Sequence, residues 1–441
     1  MKIIHALNHF LPHHIAGTEM YVYTLAKAMN KCDLESLVII PNYGAQENEE
    51  YLFENIRVIK YAEPSIVDRA LQMGKRNPDG LPFFMELIKR EQPGIIHFHE
   101  LAGSNGITLS HVKAASETGC KVMMTFHLAR YSCQTGTLMY KNEVPCDGFI
   151  NIKKCTLCCY HKNGLSDATS ALLLPLAKLL YSFHVDACGW NNRVGTALSY
   201  PFIIDQLKKN LQLLAGYCDR MVVISKWYRE VLLLNGVAAD KMILIEQGAF
   251  NVINTLPQST KASLPVKIIF VGRIAHFKGV NLLIEVMKKL SPEKITLDIY
   301  GDSGDKDYMD QCRKDSEKMI NICWKGRLSP DKVVTTMSQY DLLCLPSTVC
   351  EMSPLVVQEA LAAGIPVIAS NVYGNAEQIK EGINGWLFKM NDSNDLMMKM
   401  KMLIEHPEML YKAKNKIQVP RTFEKVVSEY INLYKELLSS T

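Results

Sequence analysis

Two glutamates, Glu351 and Glu359, flank a helix start in CEMSPLVVQEALAAGIPVIAS (350–370). Ser353 has a capping side chain, and Pro354 suits the first helical position, where its absent N–H goes unmissed. The N–H groups of Leu355 and Val356 then lie free at the positive end of the helix dipole, where a phosphate binds. A carboxylate repels phosphate but accepts hydrogen bonds from sugar hydroxyls. On spacing alone, the pair reads most simply as two solvated glutamates. Upstream, FVGRIAHFKGV (270–280) supplies the complement. Gly272 lets the chain turn off a strand, and Arg273 and Lys278 stand in the loop that follows. Two fixed cations stabilise a departing diphosphate without a divalent ion. With those cations present, the glutamates suit the two sugars of a nucleotide-sugar: Glu359 the nucleoside ribose, Glu351 the sugar to be moved.

Such loops need rigid elements behind them. KIIHAL, SLVII, RVIKY, GIIHFH, KVMMTF, RMVVIS and KMILIEQGAF are short apolar runs, separated by helical patterns such as LPFFMELIKR. Thr18 is placed to cap a first helix that runs to about Asn30. NVINTLPQSTKASLP (251–265) reads as a linker. A second series follows: VKIIFVGR, ITLDIYGD, NICWKGR, DLLCLP and PVIAS. Buried strands alternating with helices predict an α/β protein with two Rossmann-like domains and parallel sheets. The expected boundaries are 1–255, with an irregular insertion at about 130–165, and 262–420. An amphipathic helix over 421–441 is expected to pack back on the first domain. Two such domains would form a deep cleft at the carboxyl ends of their strands, where open α/β sheets bind ligands.

The chain has 441 residues, 48% hydrophobic and 21% charged, with a formal charge of +4. That balance predicts a folded soluble protein and gives no basis for nucleic-acid binding. No secretory signal or roughly 18-residue apolar span is apparent. SALLLPLAKLLYSF (170–183) comes nearest and reads as a buried or partly buried helix, or as one touching a membrane or an acceptor lipid. The expected location is cytoplasmic, with peripheral contact at the inner membrane face.

The ordered set GRxxxxKG, ExxxxxxxE running into EALAAGIPVIAS, and GINGWLF (382–388) resembles glycosyltransferase family 4, which has the GT-B fold. The likeness extends over nearly the whole chain. It implies transfer of a sugar from a nucleotide-sugar co-substrate, with retention of configuration and no catalytic metal. By the same resemblance, Arg273 and Lys278 hold the diphosphate, Glu359 the ribose, and Glu351 lies near the donor sugar. Leu328 falls at a base-contacting position that unaided reading assigns to the core. Gly17 in AGTE (16–19) takes the place of the loop that approaches the donor phosphates. His127, after KVMMTF, matches a histidine that contacts the donor sugar and stabilises the transition state. His97 and His99 are expected to be structural or to line the acceptor side. The chain departs from the family at Met352–Pro354, at Gln247-Gly248, and in having one glycine at the first loop.

Thirteen cysteines without an export signal predict reduced thiols. Cys133, Cys146, Cys155 and Cys158 have a spacing that suits a tetrahedral metal, zinc first and an iron–sulfur cluster second. Cys159 adjoins them, and His161 is an alternative ligand; unligated loop thiols are the plain alternative. Lys153 and Lys154 are solvated or meet an anionic acceptor.

The leading expectation is a retaining glycosyltransferase using a UDP-, GDP- or ADP-sugar and a glycan or lipid-linked acceptor in polysaccharide or glycolipid assembly. The alternatives are a nucleotide-sugar 2-epimerase of the same architecture and a non-catalytic sugar-nucleotide-binding assembly protein.

Overall fold

The computed structural model describes residues 2–32, 34–252 and 264–439. Most of the expected linker, 253–263, lies outside them. The chain divides into two compact units, Met1–Glu246 with Val426–Thr441, and Gln247–Lys425.

The first unit contains β1 (Lys2–Ala6), β2 (Glu35–Tyr43), β3 (Glu49–Phe53), β4 (Ile56–Glu63), β5 (Ile95–Phe98), β6 (Lys121–Phe126), β7 (Met139–Tyr140), β8 (Val144–Pro145), β9 (Arg220–Val223) and β10 (Met242–Leu244). Eight of these form a sheet in the order β10-β9-β6-β5-β1-β2-β4-β3. Every pairing in it is parallel except that of β3, an edge strand antiparallel to β4 that the sequence reading passed over. Strand β3 is EEYLF, two adjacent glutamates and only three apolar residues, largely exposed, which is too short an apolar run to flag a strand. Strands β7 and β8 make a separate two-residue hairpin inside the cysteine segment.

The second unit contains β11 (Val266–Val271), β12 (Ile295–Tyr300), β13 (Ile322–Gly326), β14 (Leu342–Leu345), β15 (Val367–Ser370) and β16 (Gly385–Phe388). They form one parallel sheet in the order β13-β12-β11-β14-β15-β16. Its central strands are buried on both faces, as their unbroken Val, Ile and Leu runs require. The strand order reverses between β11 and β14, so the loops after these two strands diverge from one point. A ligand crevice forms at such a switch point. In the first unit the same reversal falls between β1 and β5.

The last helix, Phe423–Ser439, joins the first unit from Val426 onward. There Tyr430 OH and Tyr434 OH reach Thr125 Oγ1 and His97 Nδ1 at 2.9 and 2.6 Å. The segment 170–183 belongs to the helix Asp167–Ser182. That helix buries Ser170, Leu174 and Ala177 and exposes Leu172, Leu176 and Leu179. Among the described residues, no helix is long and apolar enough to cross a membrane.

Candidate active site

The second unit builds its site from two loops. After β11 the chain passes Gly272 and Arg273 into a single helical turn, His276–Lys278, and then Gly279. Gly279 has φ +69°, and a Cβ there would stand 2.0 Å from the carbonyl oxygen of Pro346, so only glycine fits. This close approach holds the turn against the loop after β14, where the Thr348 N–H donates to the Phe277 carbonyl at 2.9 Å. The result brings Lys278 to Glu351. Lys278 Nζ donates to Glu351 Oε1 at 2.5 Å, and Ser347 Oγ donates to the same oxygen at 2.7 Å. Both side chains keep under a fifth of their surface exposed, at 17% and 16%. Arg273 is exposed, and the Phe277 ring lies beside both cations, 5.9 Å from the Arg273 guanidinium and 5.8 Å from Lys278 Nζ.

The helix after this loop is Leu355–Ala362, one residue later than the capping side chain of Ser353 implies. Pro354 is its N-cap, with an extended backbone and no side-chain hydrogen bond to the helix. A proline fixed at φ −65° terminates the extended loop as readily as it starts a helix, and its position leaves both the Leu355 and Val356 amides in the first turn. Glu359 is half-buried on this helix, and burial pushes its carboxyl up to about 7. Leu328 is half-buried against the core of the same unit.

In the first unit the helix Gly17–Asn30 follows β1, with Ala16 and not Thr18 at its N-cap and no side-chain cap. Gly17 is exposed at its first position. Glu19, in the first turn, is 3% exposed; its Oε1 bonds His14 Nδ1 at 2.8 Å and its Oε2 is buried without a partner. Glu100, two residues beyond β5, has its carboxyl pushed up by burial and then by the charge of Glu19, with Arg130 opposing. His127, just beyond β6, is 8% exposed, and burial lowers it to about 3. His97 and His99 are fully buried beside it.

Two family descriptions match the chain: "Glycosyltransferase Family 4" over residues 15–142 and "Glycosyl transferases group 1" over residues 253–418. The chain belongs to the family 4-type glycosyltransferases. It is 28% identical to the uncharacterized glycosyltransferase MJ1607 of Methanocaldococcus jannaschii over 173 residues, 38% of this chain and 44% of that one. It is 22% identical to the amylovoran biosynthesis glycosyltransferase AmsK of Erwinia amylovora over 284 residues, 62% of this chain and 67% of that one. The chain thus spans under half of the first relative's length and about two thirds of the second's. The crystal structure of Anabaena HepE in complex with UDP-glucose superposes with TM-score 0.62 at 15% identity, covering 100% of both chains. That likeness shows a shared GT-B fold.

In this family 4-type glycosyltransferase, sequence reasoning passed over Glu19, Glu100 and Arg130. Glu19 had a signal, since an acidic residue directly follows the glycine-bearing first loop. Glu100 and Arg130 had none, because their proximity arises from the parallel pairing of β5 and β6. The cysteines lie elsewhere in the first unit. Cys133, Cys146, Cys155, Cys158 and Cys159 line one cavity of about 350 Å³, counted with the space open to solvent. Among the described residues, no three of their sulfurs lie within 4.8 Å of one another. The Lys141 N–H approaches Cys158 Sγ at 3.4 Å, and burial pushes the Cys155 thiol up to about 11.

Proposed function

We propose that this chain moves a sugar from a nucleotide-sugar to a hydroxyl acceptor with retention of configuration, in polysaccharide or glycolipid assembly. The observation that carries this reading is the half-buried Lys278–Glu351 pair beside a helix end with uncapped amides. An ammonium held by a carboxylate is pre-positioned, and an incoming diphosphate offers it a second, doubly charged partner. Lys278, Arg273 and the Leu355 and Val356 amides then stabilise the negative charge that develops on the leaving diphosphate. Released from Lys278, Glu351 accepts from hydroxyls of the donor sugar, and Glu359 accepts from the ribose. His127 donates to the donor sugar, Gly17 allows close approach to the phosphates, and Leu328 packs on the base. The acceptor attacks on the face the diphosphate leaves, and a phosphate oxygen takes its proton. No protein nucleophile is required, and the chain contributes position and charge.

UDP-glucose is the first donor to test, since HepE is crystallised with it. Thermal-shift and turnover measurements with UDP-, GDP- and ADP-sugars decide the reading. Diphosphate release that depends on an acceptor supports transfer. A changed sugar without an acceptor supports the 2-epimerase, and binding without turnover supports an assembly protein.

A structural metal at Cys133, Cys146, Cys155 and Cys158 belongs to the same proposal. Soft sulfur ligands from three chain segments suit zinc, with an iron–sulfur cluster second. Cys155 and Cys158 stand three apart on the helix Ile152–Lys162, so both face the cavity. Binding would draw the sulfurs inward and tie down a segment whose own hairpin is two residues per strand. Elemental analysis of the purified protein tests it, and less than about a tenth of an equivalent of zinc or iron removes it.

Peripheral contact with an anionic lipid surface is proposed at the exposed Leu172, Leu176, Leu179 and Phe183 stripe, flanked by Lys178 and Arg193. Equal binding to neutral and anionic vesicles would count against the charge contribution, and binding to neither against the contact.

A further inference from the structure

His99 stands in the middle of a chain of buried rings in the first unit. His5 Nδ1 and His99 Nε2 are 3.0 Å apart, and His99 Nδ1 and His127 Nε2 are 3.2 Å apart. A neutral imidazole has one proton, so one nitrogen donates and the other accepts. The three rings therefore have two self-consistent arrangements. In the first, each ring is protonated at Nδ1: His5 donates to His99, and His99 donates to His127. In the second, each is protonated at Nε2 and every donation reverses.

The far end of the chain separates the two. His5 Nε2 is buried and has no hydrogen-bond partner. The second arrangement buries an N–H there, whereas the first leaves only a lone pair. Orphaned buried N–H groups are rarer in folded proteins than under-satisfied acceptors, because a donor stripped of water loses more. The first arrangement is favoured, and it makes His127 a ring protonated at Nδ1. That nitrogen has no partner among the described residues. Burial keeps the rings neutral, lowering His5 and His127 to about 3 and His99 well below the usual histidine range.

The surroundings hold the chain in line. The His97 ring lies 3.9 Å from the His99 ring, centre to centre. Its two nitrogens are engaged by Tyr434 OH at 2.6 Å and Thr125 Oγ1 at 2.7 Å. The Tyr21 ring meets His127 edge-on at 4.8 Å, and Tyr21 OH donates to Tyr430 OH at 3.1 Å. Ring nitrogens of His5, His97 and His99 lie within 4.8 Å of one another, a spacing a metal could use. Hydroxyls take both His97 nitrogens, and His5 and His127 take both His99 nitrogens, so among the described residues the set is a hydrogen-bonded network in which only His5 Nε2 is open.

We propose that His99, backed by His5, is a positioning residue that fixes His127 as the Nδ1–H tautomer. Its free nitrogen then donates a hydrogen bond to the substrate and takes no proton from it. The functional part rests on reading His127 as a donor-sugar contact.

Nitrogen-15 NMR of the full-length, histidine-labelled protein without ligand tests the tautomer directly, with His127 assigned from a His127→Gln variant. Wild type should show His127 protonated at Nδ1 and bare at Nε2. His99→Leu removes the donor and should mix the tautomers; His99→Asn keeps an N–H in nearly the same place and should restore one. With UDP-glucose as probe, kcat for UDP release should fall about 10- to 100-fold in His99→Leu, with KM within about threefold, and recover in His99→Asn. A wild-type His127 protonated at Nε2, or unchanged His127 signals in His99→Leu, overturns the proposal. If the Nδ1 proton is found but His127→Gln keeps full turnover, the lock stands and only the catalytic reading of His127 fails.

Discussion

The two units meet their chemistry with opposite electrostatics. The first surrounds His127 with buried, neutral rings and hydroxyls, linked to one another by fixed hydrogen bonds with His5 Nε2 left open at the far end. The second places charged groups at half-exposed loop positions, where Lys278 and Glu351 pair with each other. The difference follows what each is proposed to hold. A diphosphate needs countercharge that can exchange partners, so the cation is held by a carboxylate that the incoming anion can replace. A neutral sugar needs donors of fixed direction, and direction is best held in a packed, dry interior.

That contrast can be broken at the charged side first. Lys278→Ala should lower turnover about 100- to 1,000-fold while moving Tm by less than about 3 °C. Wild-type turnover would take Lys278 out of the site. The neutral side is tested by acid. Burial holds His5, His111 and His127 at about 3, below their ordinary 6.5. The unfolded chain therefore takes up protons first as pH falls below 6.5, and each such ring removes about 1.4 kcal/mol of stability per pH unit until its folded value is reached. Urea midpoints should be flat above pH 7 and fall steeply toward pH 5, with amide exchange quickening first in the first unit. A flat profile to pH 5 would mean that these rings are not held neutral.

Glu359 sharpens the comparison, since it is a charged-side residue with an interior environment. Its carboxyl, raised to about 7 by burial, must ionise if it is to accept from the ribose as proposed. Affinity for UDP should weaken about tenfold from pH 8 to pH 6, as calorimetry would show. Because its folded value is raised from 4.5, this group costs stability as pH climbs from about 4.5 to about 7 and no more above that, so Glu359→Gln should raise Tm at pH 8 and leave it unchanged at pH 4.5. The smallest effect belongs to Leu328→Ala, worth about 1 kcal/mol of stability for a half-buried side chain. Its effect on UDP affinity tells whether the side chain reaches the base: no change in affinity leaves Leu328 as core alone.

The sequence alone determined the α/β architecture, the two strand series and the spacing of Arg273, Lys278, Glu351 and Glu359. Buried parallel strands must be apolar on both faces, and the turn proposed to hold phosphate carries its glycines and cations at short range, so both leave local marks. Even there, the cap at Ser353 was misplaced by one residue, because proline is compatible with both sides of a helix start. Strand β3 went unread because an exposed edge strand needs no apolar run. Only the tertiary structure decided that Lys278 and Glu351 pair, that five cysteines share a cavity, and that His5, His99 and His127 form one hydrogen-bonded line. Those residues are separated by up to 122 positions, from His5 to His127. Strand order brings them together, and strand order depends on which sheets can close over a core, which no local pattern encodes.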